Sequence, residues 1–276
     1  MFVNLLGHNF NNLNPTKVVD ELLARPRHWR FTYIVTPNAD HLARLRRQPN
    51  LQLVYDAAWL RLLDSKFIGL IARLLRIPTP QVATGTDITA ALLARLGPHT
   101  IAIIGMSKAA FTALQARYPH LHFVHHQPPQ NLLSDQLGFR RARDFAVRTN
   151  AHFTFIALGS PLQELLAYAI ACQPHAMGVG LCIGIALEFC AGTQPRAPAW
   201  MRQAGLEWLH RLILNPRRLA RRYLIQDPPI IAELLRQKVH QWRHGQPPPA
   251  APAAISAPGP YPPPPPAPLQ KTPDDP

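Results

Sequence analysis

Apolar runs with the composition of β-strands alternate along this chain with stretches of helical spacing, and no other feature constrains the fold as strongly. This alternation predicts an α/β fold in which helices flank a Rossmann-like, mostly parallel sheet. The predicted strands cover residues 31–35, 101–104, 122–124, 153–158 and 177–183. The predicted helices, several of which begin at an Asp or Ser in a capping position, cover residues 87–95, 107–118, 133–147 and 163–172.

Composition predicts one main domain followed by two unlike segments. The chain has 276 residues, of which 47% are hydrophobic and 16% charged, enough for one well-buried core. We expect an α/β domain over residues 1–195 and a basic helical appendage over 196–245. Proline makes up 14 of the 31 residues from 246 to 276, so this tail is expected to be disordered or polyproline II.

Positive charge is concentrated near the C-terminal end of the chain. The formal net charge is +14, and residues 196–243 contribute half of it, with ten Lys and Arg against three acids. Arg218, Arg221 and Arg222 share one helical face, after a predicted cap at Asn215. The charge implies an acidic partner, either nucleic acid, anionic lipid or a phosphorylated substrate, and composition alone does not choose among them.

The sequence indicates an intracellular protein without a membrane span. Cys172, Cys182 and Cys190 form no CxxC pair and lie among apolar residues, as reduced cytosolic thiols do. The N-terminus lacks the pattern of a secretion signal, and the longest apolar run, 176–187, is too short to cross a bilayer. Any membrane contact is therefore expected to be peripheral.

The loops that follow the strands hold the candidate site, because ligands of parallel sheets bind at the carboxyl ends of the strands. They include 36–38, 105–108 and 159–161. Asp64 directly follows an apolar run, where partial burial suits a general base, although a helix N-cap or a pair with Lys66 explains it too. Thr84, Thr86 and Asp87 open a helix whose N–H groups suit a phosphate or a sugar, but capping by Thr86 or Asp87 fits equally well.

Two further acids, Glu164 and Glu188, stand at positions that suit a functional site. Gln163 and Glu164 begin a helix just after a Gly-Pro turn, and we expect both to point toward the ligand end of the sheet. Glu188 lies in an apolar stretch, which is costly unless the carboxylate is paired with an arginine or has a role in the site.

Patterns that would indicate nucleotide or metal binding are weak. Residues 105–108 hold one glycine and no P-loop, and the glycines of 178–184 have the wrong spacing for a dinucleotide fingerprint. The histidines between 120 and 126 could indicate a metal site, but a strand would place only His120 and His122 on one face. They therefore favour an ordinary surface strand.

Taken in order, the short motifs of this chain resemble those of the WecG/TagA/CpsF family of bacterial glycosyltransferases. They are TPNADHL at 36–42, the Asp64 segment, TGTD at 84–87, GSPLQE at 159–164, EFCAG at 188–192, RAP at 196–198, GLEWLHRL at 205–212 and NPRRLARRY at 215–223. The resemblance implies an inverting transferase that needs no metal or other cofactor. Its substrates would be a UDP-sugar and a polyprenyl-diphosphate-linked saccharide, used at the inner face of the cytoplasmic membrane in cell-surface or exopolysaccharide synthesis.

The resemblance also assigns roles by position. It makes Asp64 the general base, places Thr36 and Asn38 beside the reacting sugar and makes Gln163 a substrate contact. The pattern of its C-terminal appendage places Arg211, Arg218 and Arg221 on a diphosphate. The other substrate-binding candidates are Thr84, Thr86, Asp87, Glu164 and Glu188. Two departures, Ser65 for the usual Gly and Glu188 for the usual Asp, imply an altered choice of donor or acceptor.

Membrane docking and a non-enzymatic alternative complete the expectations. Trp208, Leu212 and Tyr223 are expected against the lipid interface, with arginines toward anionic headgroups. The family pattern also implies self-association and no nucleic-acid partner. The alternative is a basic protein that binds nucleic acid or an anionic membrane; it fits the charge and the tail but leaves the motifs at 36–42, 84–87 and 159–164 unexplained.

Overall fold

The computed structural model describes residues 1–214, 216–217 and 228–244. An N-terminal hairpin of β1 (Phe2–Leu5) and β2 (His8–Asn11) precedes a six-stranded sheet. The sheet contains β3 (Thr32–Val35), β4 (Leu60–Arg61), β5 (Thr100–Gly105), β6 (His122–His126), β7 (Phe153–Ala157) and β8 (Val179–Cys182). All its paired strands are parallel, and their order across the sheet is β4-β3-β8-β7-β5-β6. The predicted α/β class and mostly parallel sheet are confirmed.

Helices flank the sheet on both faces. They are α1 (Pro15–Ala24), α2 (Ala39–Arg47), α3 (Gln52–Asp56), α4 (Lys66–Leu74), α5 (Gly85–Arg95), α6 (Lys108–Arg117), α7 (Gln136–Thr149), α8 (Leu162–Ala171), α9 (Ala186–Ala191), α10 (Ala199–Gln203), α11 (Glu207–Leu214) and α12 (Pro228–His244). A 3-10 turn, Pro49–Leu51, leads into α3. Ser107 caps α6, as the capping pattern predicts. Asp135 caps α7, which begins at Gln136 and not at the predicted residue 133.

The strands are apolar throughout because both faces of the sheet are covered. In β3, Tyr33 and Val35 enter one hydrophobic cluster while Ile34 enters the other, and all three are fully buried. Successive side chains of a strand point to opposite faces, so a strand covered on both faces reads as a continuous apolar run. This explains why the sequence marks the strands so clearly.

Helix α12 packs on the body of the protein rather than standing apart from it. Ile230 and Leu234 are buried against the core that includes α2 and α4. Gln237 accepts a hydrogen bond from the Leu6 N–H at 3.0 Å, and Glu233 lies 2.6 Å from Arg46. These contacts fix α12 over the hairpin and α2. The proline-rich tail predicted over 246–276 lies outside the described residues.

Candidate active site

Loops from four neighbouring strands converge at one edge of the sheet. Thr36 and Asn38 follow β3, Asp64 follows β4, Gln163 follows β7, and Gly184 follows β8. The carboxyl ends of parallel strands share an edge, so residues far apart in sequence meet there. The motif at 36–42, the Asp64 segment and the motif at 159–164 therefore share this edge.

A pocket of about 270 Å³ opens at this edge, beside β3 and β4. Its polar side is formed by Asn38, Asp64, Ser65, Lys66, Thr84, Thr86 and Glu207. Its apolar side is formed by three helices, which contribute Phe67, Ile68, Ile71, Trp208, Ile230, Ile231 and Leu234. The pocket thus offers both polar groups that suit hydroxyl or phosphate groups and side chains that suit hydrocarbon.

Asp64 is fixed at the pocket floor by the backbone around it. Its N–H donates to the Pro37 carbonyl at 3.0 Å, and its Oδ2 accepts from the Gly85 N–H at 3.0 Å. Ser65, not Asp64, caps α4, accepting from the Ile68 N–H at 3.1 Å. The capping role considered for Asp64 is therefore wrong, because the helix begins one residue later.

Gly85 allows helix α5 to approach this carboxylate closely. A Cβ at this position would lie 3.1 Å from Thr36 Oγ1 and 3.5 Å from Asp64 Oδ2. Thr84 caps α5 by accepting from the Asp87 N–H at 3.1 Å, so capping by Thr86 or Asp87 is also wrong. Thr84 and Thr86 instead line the pocket, and the positive end of α5 faces Asp64.

Asp87 is engaged by an arginine of the RAP segment. Arg196 Nη2 lies 2.7 Å from Asp87 Oδ1, and Arg196 Nε lies 3.8 Å from Glu207 Oε1. Burial raises the pKa of Asp87, but hydrogen bonds from Arg196 and Thr84 and the charge of Arg196 outweigh it and lower the pKa overall. Asp87 thus ties the segment around Arg196 to α5, and the longer contact from Arg196 to Glu207 extends this tie to the start of α11.

Gln163 and Glu164 lie beneath the pocket, with only 5% and 1% of their surface exposed. Gln163 Oε1 accepts from the Gly184 N–H at 2.8 Å, and its Nε2 donates to Glu164 Oε1 at 2.8 Å. His41 Nε2 lies 3.4 Å from the same carboxylate. These side chains support the residues that line the pocket and do not themselves line it.

The remaining candidates lie elsewhere. Glu188 is partly exposed in α9, outside the pocket wall, so its expected burial in an apolar environment is wrong. The pairing considered with an arginine does not occur either, because Glu188 forms no ion pair within the described residues. Arg211 lies in α11, but its side chain falls outside the described residues, as do Asn215, Arg218, Arg221 and Tyr223.

The expectation for Trp208 changes, while that for the histidines of β6 does not. Trp208 turns inward against Phe67, with ring centroids 5.6 Å apart, because it closes the apolar side of the pocket. The histidines of β6 pack on aromatic rings, His125 on Phe111 and His126 on Phe145, as in an ordinary strand. Across the described parts of the chain, no three His, Cys, Asp or Glu side chains gather as metal ligands would.

Sequence reasoning missed the apolar wall and the buried support of the site. Ile230, Ile231 and Leu234 have the i, i+1, i+4 spacing of a buried helical face, which was the available signal in α12. The partnership of His41 with Glu164 had no local signal, since the two residues come from different βα units.

The pocket therefore combines a carboxylate near the N-termini of α4 and α5 with apolar side chains from three helices. Residues 3–244 match the model of the glycosyl transferase WecG/TagA/CpsF family, and the chain belongs to that family.

Curated relatives cover most of the chain. It is 24% identical over 230 residues to the N-acetylglucosaminyldiphosphoundecaprenol N-acetyl-beta-D-mannosaminyltransferase of Staphylococcus aureus strain NCTC 8325 / PS 47. The match covers 79% of this chain and 87% of that protein. The protein of the same name from Staphylococcus aureus strain COL matches with the same identity and coverage.

Proposed function

We propose that this chain is an inverting, metal-independent glycosyltransferase that moves a hexose from a UDP-sugar to a polyprenyl-diphosphate-linked saccharide. The observation that carries the proposal is the position of Asp64, on the polar side of a pocket whose other side is hydrocarbon. Family membership supports sugar transfer. The names of the Staphylococcus aureus relatives support an acceptor built on a diphosphate-linked polyprenol.

In the proposed reaction Asp64 acts as the general base. It accepts the proton of the acceptor hydroxyl as that oxygen attacks C1 of the donor sugar, and the C1–O bond to UDP breaks on the opposite face. The anomeric configuration is inverted, through a transition state with oxocarbenium character. The hydrogen bond from the Gly85 N–H holds one carboxylate oxygen of Asp64, and this also fixes the direction in which the other oxygen points.

Electrostatic stabilisation of the departing diphosphate would come from groups of the chain itself. Lys66 lines the pocket, and helices α4 and α5 both begin there with their positive ends. Arg211, Arg218 and Arg221 are proposed to add charge at the same place. Such donors supply what a metal ion supplies in other glycosyltransferases.

The apolar wall suits the lipid part of the acceptor. Phe67 and Ile71 of α4, Trp208 of α11 and Ile231 of α12 present hydrocarbon within the same pocket as Asp64. A free saccharide has no group to bury there, whereas the first isoprene units of a lipid-linked acceptor do. We therefore infer that the diphosphate lies near the boundary between the two walls.

Such an acceptor would bring the protein to a membrane surface. Leu235, Val239 and Trp242 form an exposed apolar stripe along α12, with Arg236 and Arg243 beside it. This pattern is typical of a helix that lies in the lipid interface. None of the described helices is long and apolar enough to cross a membrane. We propose a peripheral location on the inner face of the cytoplasmic membrane.

A transfer assay tests the proposal. Purified protein is given a panel of UDP-hexoses with EDTA present, and one acceptor saccharide in two forms, linked to a polyprenyl diphosphate or free in water. We expect transfer from one donor, to the lipid-linked form only, with an inverted linkage. Transfer that requires an added divalent metal, a retained anomeric configuration, or equal use of the free saccharide would contradict it.

A further inference from the structure

Glu164 is a buried carboxylate that the proposed reaction does not use. Its side chain is 1% exposed and lies near Tyr33, Tyr55 and Cys182. Burial raises the pKa of the carboxyl, but the hydrogen bond and charge of His41, with the hydrogen bond of Gln163, bring the pKa below its usual range. The group is therefore an ionised carboxylate in the interior, which is costly unless its partners are fixed.

His41 connects this carboxylate to the pocket. One ring nitrogen, Nε2, lies 3.4 Å from Glu164 Oε1, and the other, Nδ1, lies 2.7 Å from Asn38 Oδ1. Asn38 lines the pocket with Asp64. A chain of three side chains thus runs from the buried charge to the pocket wall.

Hydrogen-bond chemistry defines the direction of each bond in this chain. Asn38 Oδ1 also accepts from the Asp40 N–H at 3.1 Å, so the oxygen of the amide faces helix α2. An amide oxygen only accepts, so His41 Nδ1 donates to it. A carboxylate also only accepts, so Nε2 donates to Glu164, and a ring that donates from both nitrogens is the doubly protonated imidazolium. The 3.3 Å contact from the Asn38 N–H to Nδ1 would need Nδ1 to be an acceptor, and the shorter 2.7 Å contact favours Nδ1 as a donor.

We propose that His41 and Glu164 are positioning residues, which hold the Asn38 amide in one orientation for the reaction at Asp64. With Oδ1 fixed toward α2 by His41, the rest of the amide is fixed in the pocket wall. Glu164 keeps the His41 ring in place and also holds Gln163, whose Oε1 accepts from the Gly184 N–H. Loss of His41 would remove the 2.7 Å contact that holds the Asn38 amide, and small losses of geometry in a site reduce turnover strongly.

A double-mutant cycle between His41 and Asn38 tests this inference, which rests on the proposed function. In the transfer assay, His41→Phe is expected to lower kcat at least about tenfold while KM for the donor changes less than about threefold. In an Asn38→Ala background, His41→Phe should lower kcat no further, because residues that act through one another are not additive. The conservative His41→Gln, which keeps one donor, should recover part of the loss.

His152→Phe is the matched control. His152 is 8% exposed, close to the 9% of His41, and its Nε2 bonds to the Arg25 carbonyl at 2.9 Å, in a contact that includes no residue of the pocket. The variant His152→Phe should lower the stability of the protein as His41→Phe does, but it should leave kcat unchanged. If His41→Phe does not fold, His41→Phe with Glu164→Leu replaces it, because this pair removes the unpartnered charge.

A second readout does not depend on activity. The side-chain amide resonance of Asn38, assigned by its absence in Asn38→Ala, should exchange with solvent at least about tenfold faster in His41→Phe than in the unmodified protein. Equal fold losses of kcat in both backgrounds, or an unchanged exchange rate, would overturn the inference. An unmodified protein that transfers no sugar would refute the proposed function instead, and the exchange rate would still decide the role of His41.

Discussion

The clamp at Arg196 gives a local stability that can be measured. Its guanidinium lies 2.7 Å from Asp87, and the two side chains are 21% and 30% exposed. A charge-assisted hydrogen bond contributes about 1.5–3 kcal/mol when buried, and partial exposure reduces this to about 1–2 kcal/mol. The 3.8 Å contact to Glu207 adds about 0.5 kcal/mol or less. Arg196→Met, which keeps an unbranched apolar stem but no guanidinium, should remove most of this energy.

Hydrogen exchange read by mass spectrometry measures the result. A loss of about 1–2 kcal/mol should raise the opening equilibrium of the segment around Arg196 by about 5- to 30-fold, whereas α11, which Arg196 reaches only at 3.8 Å, should change by less than about threefold. Peptides from α7, which the clamp does not contact, are the internal reference. Unchanged exchange in the segment around Arg196, or a uniform increase across the sheet, would refute the reasoning.

The clamp should also depend on pH in one direction. The folded protein lowers the pKa of Asp87, so the ion pair stabilises the segment around Arg196 above the unfolded pKa of about 3.9 and is lost as pH falls through the folded pKa. At a pH below that folded pKa, this segment of the unmodified protein should approach the exchange rate that it has in Arg196→Met. A difference that persists at that pH would contradict this account.

Three other predictions concern the site and the hairpin. Gly85→Ala should lower kcat about tenfold with a small change in Tm, because its Cβ would lie 3.1 Å from Thr36 Oγ1 while the helix tolerates alanine well. Burial lowers the pKa of His8 from 6.5 to about 4, so the unfolded state binds the proton first and stability falls between these values. His8→Phe should remove about 2 kcal/mol of that fall, measured by urea unfolding at pH 7 and pH 4. Trp208→Ala should raise KM for the lipid-linked acceptor about 5- to 30-fold and leave KM for the donor unchanged, because it opens the wall beside Phe67.

Much of the sheet could be predicted because its strands are buried on both faces. The run at 101–104 is apolar without interruption, and a short apolar run between two turns has few alternative structures besides a buried strand. Strand β4 was missed because only Leu60 and Arg61 pair with β3, so its length gives no pattern. The hairpin was missed because β2, His8–Asn11, is mostly polar, and its Asn11 side chain is used by the distant Arg61 N–H.

The site was predictable where its residues follow strands and not where helices cover it. Asp64 and Asn38 stand at strand ends, so topology alone brings them to one edge. The inward turn of Trp208 depends on how α11 packs on α4. An apolar helical face has the same sequence pattern whether it faces lipid or a pocket wall. Local sequence does not contain that information.

Asp64→Asn tests the central claim most directly. The amide keeps the oxygen that accepts from the Gly85 N–H but cannot take a proton from the acceptor. We expect kcat to fall by at least about 100-fold with the fold intact by circular dichroism and with unchanged binding of the donor. Asp144→Asn, an exposed carboxylate of α7, is the control and should be fully active. Transfer by Asp64→Asn at near the unmodified rate would contradict the account.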